Sequence, residues 1–221
     1  MFLELESTTS KSSSLTNSGF FVKEQLKSNV KIKENIKSLL NIKLFLYVFL
    51  VLSKKENLVR KDTIVIREIE AKDNPKIARA IRSVLIEMGV PKVGTAYEDA
   101  TLDCMTETYS QPKKAYFVVE RGNDIIGGAG ISPLDHYEGN VCELQKMYFM
   151  QEARGKGLGS EMMNTCLDFA KQSGFEQCYL ETLPYMEGAR KLYKKVGFKS
   201  IDKPMGDTGH YSCTVWMLKD L

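Results

Sequence analysis

Residues 141–170 constrain this chain most: a β-patterned stretch VCELQKMYFM, a glycine-rich turn QEARGKGLGS, and an amphipathic stretch EMMNTCLDFA. Strand alternation changes to helical spacing across Arg154-Gly155-Lys156-Gly157-Leu158-Gly159, which holds three glycines and two cations. Glycine lets the backbone take φ > 0 and lets a ligand reach the main chain, and the first amides of a helix are unpaired donors at the positive end of its dipole. A phosphate or pyrophosphate is the expected guest. Gly159, Met162, Met163, Cys166, Leu167 and Ala170 then share one helical face, so this helix must bury a stripe against other structure.

The elements around this junction predict a compact α/β domain. Residues 63–69 are β-branched and alternate late, a strand. Asn74 and Pro75 suit a helix start, Ile77, Ile81, Val84, Leu85 and Met88 recur at helical spacing, and Gly89 stops the run. A short helix is expected near 99–109 within a long connection, the kind that often lines a substrate site. Residues 115–131 read as a hairpin turning at 121–124, with Gly127 and Gly128 marking a bulge or a close backbone neighbour. After the central junction come a strand at 175–181, a helix from Pro184 to Val196, and closing strands at 198–201 and 211–218 around a Pro/Gly/Asp loop. The order predicts a mixed sheet of six to seven strands, antiparallel in its first half, with helices on both faces.

Residues 1–60 are different: they hold ten Lys/Arg against five Asp/Glu, while the remainder holds 21 against 23. With the main body near neutral and no interleaved basic and aromatic pattern, no nucleic-acid partner is expected. The Ser/Thr-rich run 7–18 reads as disordered. Nine unbroken apolar residues at 44–52, fenced by Lys43 and Lys54, predict a short helix. A bilayer span needs ~20 residues, so membrane attachment is disfavoured, leaving a helix packed on the domain or sequence upstream of the true start. Residues 61–221 form the main domain. Five widely spaced cysteines without a C-x-x-C pair, and two histidines, suit a reduced cytoplasmic protein with no metal site. Cys142, Cys166 and Cys178 fall at apolar positions and read as core, as does Trp216; Cys104 and Cys213 have no histidine beside them in sequence, and His136 and His210 fall in loops and read as surface residues rather than bases.

No Walker G-x-x-x-x-G-K-[ST] can be written through the turn, and Gly155-x-Gly157-x-Gly159 is one residue short of the dinucleotide fingerprint, with several strands ahead of it. What the turn resembles is the acetyl-CoA loop of the GNAT N-acetyltransferase superfamily, [RQ]-x-x-G-x-[GA], with Arg154, Gly157 and Gly159 at the signature positions. Ala189-Arg190-Lys191-Leu192-Tyr193-Lys194-Lys195-Val196-Gly197-Phe198 likewise looks like that family's A-x-x-L-Y-x-x-x-G-F block. The resemblance covers residues 64–221.

The resemblance implies that the amides of Gly155, Lys156, Gly157, Leu158 and Gly159, with the Arg154 and Lys156 side chains nearby, hold the pyrophosphate of acetyl-CoA. Met147, Tyr148 and Phe149 would lie along the pantetheine arm, beside a strand splayed from its neighbour. An acceptor amine, on a small molecule or a peptide, would attack directly in a ternary complex. Tyr193 occupies the position of the acid that protonates the leaving thiolate, and Glu143 is the candidate base. Strand parity puts Glu143, Gln145, Met147 and Phe149 on one face. The chain departs from the family where an asparagine that binds the cofactor arm is replaced by Met186. A non-catalytic CoA-binding regulatory module is the alternative, and the oligomeric state, a dimer included, stays open.

Overall fold

The computed structural model describes residues 13–93 and 95–221, and contacts divide the chain into two compact units, Met1–Leu58 and Val59–Leu221. Helix α1 (Ser13–Asp62) is one run of 50 residues. The disorder expected at 7–18 falls partly outside the described residues; from residue 13 onward the segment is helical, and the helix at 44–52 is part of the same continuous run. The sequence offers no reason to break it, since residues 20–62 contain neither proline nor glycine. Continuity also changes the length that matters for a membrane. Ile36, Leu39, Leu40 and Ile42 prolong the apolar run, and Val22–Lys54, 33 residues, is long and apolar enough to cross one.

The second unit is built on a seven-stranded sheet, comprising β1 (Ile64–Glu68), β2 (Ala115–Arg121), β3 (Asp124–Pro133), β4 (Val141–Phe149), β5 (Gln177–Thr182), β6 (Lys199–Ile201) and β7 (Val215–Asp220). Its spatial order is β1-β2-β3-β4-β5-β7-β6, and every neighbouring pair is antiparallel except β4 with β5. The single parallel pair needs a crossover, and α4 (Leu158–Gln172) supplies it. Met162, Met163, Cys166 and Ala170 of α4 are fully buried against one face of the sheet, with Cys142, Cys178 and Tyr193 in the same core. Tyr193 comes from α5 (Glu187–Val196). On the other face, α2 (Asn74–Glu87) and α3 (Met105–Tyr109) bury Ile77, Ile81, Leu85 and Met105 against Tyr116 and Val118.

Local chemistry sets the details. Asp73, rather than Asn74, precedes α2, and its carboxylate accepts two bonds from the Arg67 guanidinium at 2.6 and 3.0 Å. Arg67 also donates to Glu120 at 2.7 Å, tying β1, β2 and the start of α2 together. Asn74 is left free to tether α3, donating to Glu107 and accepting from the Thr106 amide and hydroxyl. Helix α5 starts at Glu187 rather than at Pro184, and β7 at Val215 rather than residue 211.

Gly128 and Gly130 lie where two aromatic rings cross the sheet. A Cβ on Gly130 would stand 2.6 Å from Tyr116 Cδ2 and 2.7 Å from Tyr109 Cε1. Those rings lie 5.1 Å apart and leave no room to shift. Gly130→Ala is therefore expected to cost about 1–3 kcal/mol as overpacking, a drop of several degrees in Tm by calorimetry at ~2–4 °C per kcal/mol.

Candidate active site

Strand β4 organises the site by changing partners and phase along its length. It pairs with β5 only through Val141↔Gln177, Cys142↔Cys178 and Glu143↔Tyr179. Beyond Glu143 it continues to Phe149 along β3, while β5 continues to Thr182 along β7. The two strands diverge and leave a slot in the sheet. Against β3 the register jumps from Gly130↔Gln145 to Gly128↔Tyr148, so Lys146 and Met147 oppose Ala129 alone. This is a β-bulge, with Lys146 at φ 50, and the buried Tyr116 hydroxyl donates to the Lys146 carbonyl at 2.9 Å.

The bulge corrects the parity drawn from the sequence. Glu143 and Gln145 face the α2/α3 side, Gln145 reaching Tyr109, but Met147 and Phe149 join the core on the α4 side. Tyr148 takes the α2 side instead. An inserted residue reverses the alternation of everything after it.

A cavity of about 600 Å³ opens beside this stretch, lined by Met147, Tyr148, Phe149, Arg154, Gly155, Gly159, Tyr185, Leu192 and Tyr193 among others. Met186, at the position of the missing asparagine, also lines it. Arg154, Gly155 and Gly159 of the glycine turn form one wall, while Lys156, Gly157 and Leu158 are not among the lining residues. Gly155 and Gly157 have φ of 73 and 82, a conformation a side chain would strain, and Gly157 precedes the first residue of α4. The first intrahelical bonds are made by the Ser160 and Glu161 amides to the Gly157 carbonyl, so the amides ahead of them lie at the open end of the helix. Leu158 turns its side chain into the core, leaving only its main chain to the site, and Lys156 is exposed.

Arg154 also has protein partners that the sequence does not announce. It lines the cavity, but its Nε donates to the Phe149 carbonyl at 2.8 Å, and its two terminal nitrogens grip the Glu87 carboxylate at 2.7 and 2.8 Å. Arg154 thus fastens the end of α2 to the β4–α4 turn. That pairing, which holds the Glu87 carboxyl below its usual range, already balances the guanidinium charge.

Tyr193 is 6% exposed, lines the cavity, and its hydroxyl has no hydrogen-bond partner among the described residues. Burial pushes its ionisation well upward, so it carries its proton at neutral pH. Glu143 is 3% exposed and accepts from Gln145 Nε2 at 2.6 Å, and Gln145 in turn accepts from the Tyr109 hydroxyl at 2.8 Å. Burial raises the Glu143 carboxyl to about 7; the bond from Gln145 and the charge of Lys146 oppose the rise, while Glu181 and Asp135 add to it. Lys146 is itself paired to Asp99 at 2.6 Å.

Several residues of this site escaped the sequence reading. Cys213 lies near enough to Glu181 and Glu143 that they add to the burial that raises its thiol to about 11, and it perturbs both Tyr148 and Tyr193. Tyr193 lines the cavity, whereas Glu143 and Cys213 are not among its lining residues. His210, half-buried beside Lys146 and Asp99, is held below its ordinary range by burial, whereas His136 sits exposed in a loop. Cys142, Cys166 and Cys178 are buried, as their apolar positions predicted. Among the described residues no group of three or more His, Cys, Asp or Glu is placed to hold a metal ion.

The sequence profile of the acetyltransferase (GNAT) family matches residues 79–198, over half of the chain. The uncharacterized N-acetyltransferase YjgM of Escherichia coli (strain K12) is 43% identical over 166 residues, 75% of this chain and 99% of that protein. Among solved structures, an acetyltransferase of the GNAT family from Staphylococcus aureus Mu50 superposes with a TM-score of 0.65 at 19% identity, over 72% of this chain and 99% of that one. YncA from Salmonella typhimurium, determined with its cofactor acetyl-CoA, gives 0.60 at 16% identity, over 72% and 95%. The chain belongs to the acetyltransferase (GNAT) family, and its mixed seven-stranded sheet is that family's fold. It is an N-acetyltransferase.

Proposed function

We propose that this enzyme moves the acetyl group of acetyl-CoA to a primary amine by direct attack in a ternary complex. The observation that carries the reading is the slot where β4 leaves β5 immediately after Glu143, continuous in chain with a cavity that ends on the open amides of α4. The fit to CoA is chemical: a helix start suits the pyrophosphate, and apolar walls from Met147, Phe149 and Leu192 suit a pantetheine arm. Bound there, the thioester supplies an acyl carbon open to attack and a thiolate that leaves.

The chain's own residues would supply the proton transfers. Glu143 takes the proton from the acceptor ammonium, directly or through water, and the freed amine forms the new C–N bond as the C–S bond breaks. Tyr193 donates its hydroxyl proton to the departing sulfur. Gln145 and Tyr109 fix the Glu143 carboxylate, while Arg154 holds the cofactor turn against α2 instead of serving as the principal phosphate cation. The free, largely buried cysteines favour a reducing compartment, so the domain is proposed to work in the cytoplasm.

Isothermal titration tests the cofactor assignment: acetyl-CoA should bind the full chain, and Gly157→Val, which strains the residue at φ 82, should weaken binding at least ~10-fold. Equal affinity in the variant, or no binding by the native chain, removes the assignment. Binding without thiol release across an amine panel would favour a regulatory CoA-binding module. A membrane-tethered form of the same enzyme is a second reading, favoured by the exposed apolar stretch Val22–Lys54. It requires the full chain to co-sediment with liposomes and residues 59–221 alone to stay in solution.

A further inference from the structure

The bulge in β4 does more than reverse the alternation after it. Strict alternation would turn Lys146 away from Gln145, onto the α4 side where Met147 packs. Instead two consecutive residues face the α2/α3 side: Gln145 meets Tyr109 of α3, and Lys146 Nζ meets Asp99 Oδ2 at 2.6 Å. Asp99 precedes the short 3-10 helix Ala100–Cys104, whose Leu102 packs with Ile77, Ile81 and Met105 in the core of that face. The other Asp99 oxygen accepts from the Thr101 amide at 2.9 Å and from its hydroxyl at 2.7 Å, so the carboxylate is fixed from both ends. Bulges beside active sites re-aim single side chains. Here the re-aimed side chain is a cation, and the face it joins is the one that carries Glu143.

The fold does not require that ion pair. The bulge is already held through the main chain, by the Tyr116 hydroxyl on the Lys146 carbonyl, which asks nothing of the side chain at 146. The Lys146 side chain is 6% exposed and that of Asp99 20%, and a pair so far out of water contributes little net stability, because desolvation offsets the attraction. Its location accounts for it better. Gln145, the residue just before Lys146, donates to the Glu143 carboxylate at 2.6 Å. The other titratable groups around Glu143 supply no positive charge: Asp135 from the β3–β4 loop, Cys178, Tyr179 and Glu181 from β5, Tyr109 from α3, and Cys213 from the loop ahead of β7. His210, from that same loop and beside Lys146 and Asp99, is kept neutral at pH 7 by burial. Of the charged groups that act most on Glu143, Lys146 alone is basic.

Resting on the reading of Glu143 as the base, we infer that Lys146 is a positioning residue for acetyl transfer: its ammonium, aimed by the β4 bulge and anchored by Asp99, holds the Glu143 carboxylate charged and ready to accept a proton. Asp99 sets the strength of the effect, because its negative charge offsets part of the ammonium's. The two members of the pair therefore act in opposite senses that can be separated. Removing the cation leaves Asp99 uncompensated and favours the neutral carboxyl. Removing the Asp99 charge leaves the cation unopposed and favours the carboxylate.

The test follows the Glu143 carboxyl directly, by carbon-13 NMR of the full chain labelled at glutamate Cδ, the signal being identified by its loss in Glu143→Gln. Lys146→Met keeps the unbranched apolar stem and should raise the titration midpoint by ~1 pH unit. Asp99→Asn, whose side-chain oxygen can still accept from Thr101, should lower it by ~0.5 or more. The double variant buries no unpaired charge and so keeps its fold; its midpoint should lie above the native one but below that of Lys146→Met. A role in folding alone predicts otherwise: the single variants would move the midpoint in the same direction or not at all, and either result overturns the inference. A double-variant midpoint at or below the native one also overturns it, as does a pattern that vanishes when His210→Gln is added, which would assign the shifts to that ring. The acid limb of thiol release from acetyl-CoA, measured across the amine panel, should follow the same order. A carboxyl that shifts as stated while the limb stays fixed shows that Glu143 is not the base, and the inference falls with that assignment. No thiol release with any amine, although acetyl-CoA binds, removes the transfer reading itself and this inference with it.

Discussion

Glu143→Gln is expected to lower kcat/KM for acetyl transfer by ~100-fold or more and to abolish the acid limb of its pH profile. The native limb should bend near pH 7, because burial raises the Glu143 carboxyl to about 7 and a protonated carboxyl cannot accept the ammonium proton. Below that pH the rate falls about tenfold per unit; above it the base is ready. The same shift has a stability consequence of opposite sign. A carboxyl whose folded value is raised contributes stability that is full below its ordinary value of 4.5 and is lost as pH rises through about 7. Replacing it by an amide of equal size removes that loss. At pH 8, Glu143→Gln should therefore melt at or above the native temperature while being nearly inactive. A folded variant that keeps its activity or its acid limb would place the base elsewhere, with His210 the next candidate.

The contrast between what was and was not legible in the chain follows the range of the determining contacts. The turn Arg154–Gly159 could be read because its chemistry is local: glycines that must take φ > 0, followed at once by a helical stripe. The β2–β3 hairpin and the helix stop at Gly89 were legible for the same reason. The bulge at Lys146 was not. It is fixed by the Tyr116 hydroxyl, thirty residues away, and by glycines at 128 and 130 whose missing side chains admit the Tyr116 and Tyr109 rings. Gly127 and Gly128 announced some irregularity, but not which strand would carry the extra residue. Alternation then misplaced Met147 and Phe149.

Two further features depend on context that a short stretch does not carry. A cation beside a glycine turn looks like a phosphate ligand, and nothing local says that Glu87, 67 positions earlier, also pairs with Arg154. Helix α1 was underestimated because the nine-residue apolar run was judged by itself, when helical continuity through Ile36 and Leu40 determines its reach.

Tyr193→Phe should reduce kcat by about 100-fold with little change in acetyl-CoA affinity, which separates proton donation from cofactor binding. The ring contributes to the core beside Phe198, at a centroid distance of 6.1 Å, and phenylalanine preserves that packing. Its hydroxyl makes no bond to another described residue, so the fold loses no partner and stability should stay within ~0.5 kcal/mol. A large loss of rate without a loss of stability or affinity is what a group used only in the transition state produces. Because burial holds the phenol protonated far above neutrality, the native enzyme should show no alkaline limb from this residue up to about pH 9. An unchanged kcat in Tyr193→Phe would mean that the leaving thiolate departs unassisted or takes its proton from another group in the slot. Cys213, whose thiol burial raises to about 11 and which packs in the same cluster as Tyr148, would then be the donor to replace by serine and by alanine.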